Sequence, residues 1–168
     1  MPSRRSFLAV ASASLLGLPA FAANLQVPTG RVLLTVTGAI SQTNVDETAV
    51  FDEDMLRALD WKEIETYTHY TLGLQTFEGP TLLSLLEELG VQEGTLRVVA
   101  LDDYAVDIPV ADAAKFNILL AMRHNGKPMR VRNKGPIWVI FPAASLDDIR
   151  EEHESLSIWQ LTSIDVTR

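Results

Sequence analysis

Apolar residues in this chain come in short, β-branched blocks rather than long helical stripes. The clearest block is Ile137-Trp138-Val139-Ile140-Phe141, held between Pro136 and Pro142. It is short for a helix and rich in β-branched and aromatic side chains, so it predicts a strand buried on both faces. Proline suits either end of such a strand, because there it removes no central ladder donor. Apolar or β-rich runs over 31–38, 96–101, 104–109 and 118–122 predict further strands. Over 61–70, Ile64, Thr66, Thr68 and Tyr70 alternate with Glu63, Glu65, Tyr67 and His69, again a strand pattern. Residues 157–166 read as a closing strand with mixed faces.

Turn residues join these strands. Asp102-Asp103 links two of them as a hairpin, and Asn125-Gly126 sends the chain back over 127–132. Helical spacing is plainest at Leu82, Leu85, Leu86 and Leu89, with Pro80 in the expected first turn and Gly90 past the end. Asp52 is placed to cap a short helix over 53–59. Shorter helical pieces are expected over 110–115 and 146–153, a tether over 24–30, a turn over 42–48 and a connecting loop over 71–78. The sequence has no internal repeat. The predicted class is α+β, a mixed sheet with hairpins and a few short helices.

The first residues read differently. Ser3-Arg4-Arg5-Ser6-Phe7-Leu8 leads into an Ala- and Leu-rich run, and Ala20-Phe21-Ala22 has the small-x-small form of an export cleavage site. The run is too short and too rich in Ala, Ser and Gly for a membrane span. Residues 1–22 are therefore expected to be a signal peptide. The paired arginines resemble the twin-arginine type, with an ordinary export signal as the plainer alternative. Residues 23–168 would then be a single periplasmic domain.

Charge narrows the partners. Losing a leader that holds Arg4, Arg5 and no acid takes the formal charge from −8 to −10. So acidic a surface argues against nucleic acid or anionic lipid. The chain has no cysteine, which excludes disulfides, thiolate metal ligands and a thiol nucleophile. GxSxG, HExxH, the phosphate-binding glycine loop and GxGxxG are also missing. His69, His124 and His153 have no ligand spacing and read as surface or hydrogen-bonded histidines.

Three groups are candidates for function. Asp102-Asp103-Tyr104 sets carboxylates beside an aromatic ring at a turn. Arg123, Arg130, Arg132 and Lys134 form a basic cluster in an acidic protein. For both groups the plain alternative is solvated hairpin charge. Trp138 and Trp159 each fall on an expected strand, where core packing is the plain role.

Taken in order, several stretches resemble the molybdopterin-binding domain of the sulfite-oxidase family, in its small exported relatives. They are Phe77-Glu78-Gly79-Pro80-Thr81-Leu82-Leu83, the run from Ala100 through Asp102-Asp103-Tyr104 to Pro109, Ile118-Leu119-Leu120-Ala121, Asn125-Gly126-Lys127-Pro128, Lys134-Gly135-Pro136 with the strand to Pro142, and Ile158-Trp159-Gln160-Leu161. The resemblance spans about 31–166. It implies that family's fold, and a pterin-type ligand, either a tetrahydropterin or molybdopterin. Enzymes of the family hold molybdenum through a cysteine thiolate on the segment before the Gly-Pro helix. Here that segment is Glu65-Thr66-Tyr67-Thr68-His69-Tyr70-Thr71. Hydroxyls do not replace a soft thiolate, so molybdenum is not expected and the enzyme reading is second. Some small relatives look like periplasmic pterin-binding regulators of a membrane signalling protein, and the resemblance implies that role here.

A pterin edge suits a carboxylate, its face an aromatic ring, and a phosphate or hydroxyl tail suits Arg, Lys or backbone N–H groups. The expected binding set is accordingly Asp102 or Asp103 for the ring edge and Trp159 or Tyr104 for the face. Arg130, Arg132 and Lys134 are expected at the tail. The alternatives are a molybdopterin-dependent oxidoreductase, or a subunit of one, and a partner-binding remnant with no ligand.

Overall fold

The computed structural model describes residues 25–168; the expected signal peptide lies outside them. In chain order the elements begin with β1 (Leu34–Gly38), β2 (Ala49–Phe51), α1 (Glu53–Ala58), β3 (Trp61–Thr66), β4 (Gln75–Pro80) and α2 (Leu82–Glu88). Next come β5 (Thr95–Ala100), β6 (Ala105–Pro109), α3 (Val110–Lys115), β7 (Leu119–Ala121), β8 (Arg123–His124) and β9 (Lys127–Pro128). A 3-10 turn (Val131–Asn133), β10 (Trp138–Ile140), a second 3-10 turn (Leu146–Asp148), α4 (Glu151–Leu156) and β11 (Leu161–Thr167) complete the chain. The class is α+β, as the residue pattern predicts. No helix among the described residues is long and apolar enough to cross a membrane.

The strands form a five-stranded sheet in the order β2-β1-β11-β5-β6, a four-stranded sheet β3-β4-β8-β9, and the pair β7-β10. Within the large sheet β1 and β11 run parallel, with Val36 opposite Ile164, while the other pairings are antiparallel. The β7–β10 pair sits between two cores. Trp138 lies opposite Ala121, Val139 opposite Leu120 and Ile140 opposite Leu119. Side chains alternate along a strand. Ile137, Val139, Phe141, Ile118, Leu120 and Met122 therefore enter the larger core against the five-stranded sheet and α2. Trp138, Ile140, Leu119 and Ala121 point the other way, joining Phe77 and Met129 in the smaller core. This is the doubly buried strand predicted from residues 137–141.

Local signals are realised at the helices. Thr81 Oγ1 accepts from the Ser84 N–H at 3.2 Å to cap α2, and Leu82, Leu85, Leu86 and Leu89 are buried. Asp52 caps α1 by accepting from the Met55 N–H at 3.0 Å. Its other oxygen accepts from the N–H groups of Thr29 and Gly30, both at 2.8 Å. The expected tether is thus pinned, and Leu25 packs into the larger core. The backbone bonds from Met55 and Gly30 lower the Asp52 pKa against a smaller opposing effect of desolvation. The helix cap and the tether therefore share one carboxylate.

Several boundaries differ from those the sequence predicts. Residues 75–80, expected as loop and first helical turn, are strand β4, paired with β3 along its length and with β8 at Phe77 and Glu78. Pro80 ends that strand and Thr81, not Pro80, starts the helix. β3 stops at Thr66, so Tyr67 to Tyr70 leave the sheet. Past Pro128 the chain coils into the 3-10 turn, so Arg130 and Arg132 are not paired back as expected. β11 starts at Leu161, and its register against β5 shifts between Leu161 and Ser163. An irregularity of this kind changes which face later residues take. It explains why Leu161, Ile164 and Val166 are all buried despite the mixed alternation.

Gly79 marks the closest approach of β4 to the central pair. A Cβ there would lie 2.0 Å from the Leu120 carbonyl oxygen, a backbone atom with no room to yield. Gly79→Ala is expected to destabilise the protein by roughly 1–3 kcal/mol or more, the cost of overpacking a filled interior. Urea denaturation checks this; an unchanged midpoint would show that the two strands can part without penalty.

Candidate functional site

The smaller core opens toward solvent through aromatic rings. Trp138 projects from β10 and meets Phe77 edge-on at 5.4 Å between centroids, and Tyr70 at 6.1 Å. Tyr70 in turn lies edge-on to Trp159 at 4.8 Å. Trp159 is held by a backbone bridge to Trp138 just before β11 begins. Tyr70 is fixed at its far end, where its hydroxyl donates to the Glu154 carbonyl oxygen at 3.1 Å. Burial, then the nearby Glu154 carboxylate and Tyr104, push its pKa up, so Tyr70 remains a protonated donor.

Beside these rings is a cavity of about 280 Å³. Tyr70, Tyr104, Trp159 and Ile158 wall it, Asp102 and Glu154 add carboxylates, and Ser155 and Ser157 supply small polar groups. Helix α4 forms one side and the β5–β6 turn another. Asp102 Oδ1 accepts from the Tyr104 N–H at 3.2 Å, which fixes the carboxylate relative to the ring that follows it. The volume sits at the lower edge of the usual range for small-ligand sites, roughly 300–1,000 Å³.

The expected residues divide between this site and the open surface. Asp102 and Tyr104, both exposed at the turn, line the cavity together with the half-buried Trp159. Asp103 is exposed at the tip of the turn with φ +66° and does not line it. Arg130 and Arg132 are exposed on the 3-10 turn segment and do not line it. Lys134 does not line the cavity either; its ammonium lies over the rings behind it. Nζ is 4.5 Å from the centroid of Trp159, 5.5 Å from Trp138 and 5.6 Å from Tyr70. Arg123, from the same basic cluster, pairs with Glu78 at 3.3 Å.

Glu154 has no role in the sequence pattern, and Tyr70 enters it only as a member of the segment 65–71, not as a cavity wall. Tyr70 looks like one more residue of an alternating strand, and Glu154 one acid among several. The only available signal was an aromatic residue at the end of a strand pattern where Thr71 to Gly73 begin a turn-like stretch.

Residues 47–145 match the oxidoreductase molybdopterin binding domain. The chain belongs to that family. Asp102, Tyr104 and Lys134 fall inside the matched stretch, while Glu154 and Trp159 lie beyond it. Among solved structures, the sulfane dehydrogenase SoxCD from Paracoccus pantotrophus superposes with a TM-score of 0.58 at 16% identity. That match covers 79% of this chain and 37% of the other, so the chain spans well under half of that protein. It supports the sulfite-oxidase-like fold. Comparison with curated proteins gives no match.

Members of this family bind a molybdopterin cofactor, and the donor set here departs from the thiolate form of that site. The Thr66 hydroxyl is fully buried and committed, donating toward Ala143 O at 3.1 Å and accepting from the Ala143 N–H at 2.8 Å. Thr68 Oγ1 is bonded to Thr71 Oγ1 at 2.8 Å and accepts from the Tyr70 N–H. The crevice lined by Tyr67 to Tyr70, β10 and α4 holds about 20 Å³. That is space for about one water, which needs roughly 10–15 Å³ by this measure. Among the described residues no three His, Cys, Asp or Glu side chains gather as a metal set. The chain has no cysteine to hold a metal through a thiolate, and the cavity presents the rings of Tyr70, Tyr104 and Trp159 beside the Asp102 carboxylate.

Two histidines pack on phenylalanine rings. His124 stacks on Phe77 at 4.6 Å and bonds Gln75 Oε1 at 2.9 Å. Burial, helped by the Lys134 charge, lowers its pKa. His153 on α4 stacks on Phe141 at 4.4 Å and meets Phe116 edge-on at 4.4 Å. Burial lowers its pKa too; Arg150 and Lys115 act in the same sense, while Glu152 and Asp112 oppose them. Well above the ordinary histidine pKa of about 6.5 these rings are neutral in both folded and unfolded chains. As pH falls below that, the unfolded chain takes protons that the folded chain resists, so stability is lost. The melting temperature is expected to fall from pH 7 to pH 5, and less steeply in His153→Phe. Equal slopes in the two proteins would show that His153 does not contribute.

Proposed function

We propose that this protein is an exported pterin-binding domain that performs no redox chemistry of its own. The observation that carries the reading is the cavity of about 280 Å³ walled by Tyr70, Tyr104 and Trp159, with the Asp102 carboxylate at its edge. It occurs in a chain with no cysteine. A planar bicyclic ring would stack on Trp159 or Tyr104 while Asp102 accepts from its amino and ring N–H edge. Tyr70, kept protonated, holds Glu154 and so the α4 side of the cavity. When bound, such a pterin supplies a hydrogen-bonding edge and a stacking face. This chain supplies their partners and excludes water from one side.

In this reading occupancy is the signal. A domain that binds a pterin without turning it over would report it to a membrane signalling partner from the periplasm. The leader-like pattern over 1–22 favours export, and cell fractionation would locate the protein. Membership of a molybdopterin-binding family favours a second reading, an oxidoreductase or oxidoreductase subunit carrying the metal form of the cofactor.

The test is to purify the protein from cells that make pterins, extract it and identify the ligand by mass spectrometry, with molybdenum and tungsten measured on the same sample. A pterin at near-stoichiometric amount without metal is expected. Stoichiometric metal would establish the second reading, and a protein that neither carries nor binds a pterin would end the first. Asp102→Asn is expected to weaken binding of a tetrahydropterin by roughly ten- to a hundredfold, the loss of a charge-assisted hydrogen bond. Trp159→Ala should weaken it by about three- to tenfold through lost stacking. Arg132→Ala should leave it unchanged. Titration calorimetry on the three variants checks all of these.

A further inference from the structure

We infer that Lys134 is a positioning residue for Trp159, and that the site therefore recognises a ring without recognising an anionic tail. The inference rests on the proposed pterin reading for the ligand's class but on geometry for the role of Lys134. The ammonium lies 4.5 Å from the Trp159 centroid and within 5.6 Å of the rings of Trp138 and Tyr70. All three distances fall inside the roughly 6 Å reach of a cation–π contact. No carboxylate among the described residues forms an ion pair with it.

The backbone holds the lysine to this task. Lys134 has φ +67°, in the left-handed region, at the end of the 3-10 turn. Its carbonyl accepts from the Gln160 N–H at 3.1 Å, the residue that follows Trp159. The Gln160 side chain returns to the same turn, donating to Val131 O at 2.7 Å. Lysine and tryptophan are thus tied by the main chain as well as by charge and ring. A cation over one indole face fixes the ring's orientation and leaves the cavity-facing part of Trp159 as a set wall. Were Lys134 to swing out to a phosphate, Trp159 would lose its cation–π contact.

Arg130 and Arg132 do not take over the tail. Both are exposed, and neither lines the cavity. The charged groups that do line it are the carboxylates of Asp102 and Glu154. A phosphorylated tail would meet repulsion there and no compensating cation. The ligand class that follows is a pterin with an uncharged side chain or none.

The experiment compares the full-length protein with Lys134→Met, which keeps the stem and loses the charge, and Lys134→Arg, which keeps a cation. The probes are 7,8-dihydroneopterin and its triphosphate, which share a ring and differ only in the tail. The native protein should bind the uncharged probe at least tenfold more tightly than the triphosphate. Lys134→Met should weaken the uncharged probe by about three- to tenfold, and Lys134→Arg should restore most of that loss. Near-ultraviolet circular dichroism without ligand should show the tryptophan bands reduced in Lys134→Met and regained in Lys134→Arg. A loss confined to the triphosphate would overturn the inference and make Lys134 a tail ligand. Unchanged tryptophan bands in Lys134→Met would also overturn it. Failure of the native protein to bind either probe would instead count against the pterin reading, while the ligand-free spectra still decide the positioning role.

Discussion

The fold depends on one ribbon, the pair β7 and β10, filled on both faces. Alternation is what lets three residues of β10 serve two interiors at once. Val139 seals the large core while Trp138 and Ile140 seal the small one. A slip of one residue would exchange these sets and place the indole of Trp138 where Val139 packs. Register is therefore specified from both sides, and the aromatic wall of the cavity inherits that precision. Trp138 also donates from its indole nitrogen to Ser157 O at 3.1 Å, which fixes the start of the segment carrying Trp159.

The cavity is built by segments far apart in sequence. Tyr70 leaves the end of β3, Asp102 and Tyr104 come from the β5–β6 turn, and Trp159 precedes β11. Glu154 arrives on α4, which has no buried residue of its own. That helix is held instead by its backbone contact to Tyr70 and by His153 between the rings of Phe116 and Phe141. The family's fold is present in its strands, while Thr66, at the end of β3, turns its hydroxyl inward to the backbone of Ala143. The hydrogen bonds of Thr66 close that end against the rest of the protein.

What could be read from residue pattern alone follows from range. The α2 face, the Asp52 cap and the hairpins at Asp102-Asp103 and Asn125-Gly126 rest on residues within a few positions of one another, and each is present. Strand β4 was not legible. Gln75 to Pro80 is polar and carries Gly and Pro, and its extended form comes from pairing with β3 and β8. The need for Gly79 appears only when the Leu120 carbonyl is seen against it. At the site, Asp102, Tyr104 and Trp159 could be found as chemistry without a position. Arg130 and Arg132 looked equally suitable, and only the turn after Pro128 sends them outward. Tyr70 was hidden because its role needs the chain to leave the sheet at Thr66.

The parallel contact of β1 with β11 has a consequence for how the molecule comes to exist. Thr37 and Asp165, whose side chains bond at 2.6 Å, stand 128 residues apart in the chain. The middle strand of the largest sheet is also the last described strand to leave the ribosome. Until then β1 and β5 each present an open edge, an invitation to mispair with another chain. Topologies closed by such distant partners assemble slowly. β11 must therefore be made before the five-stranded sheet acquires a middle.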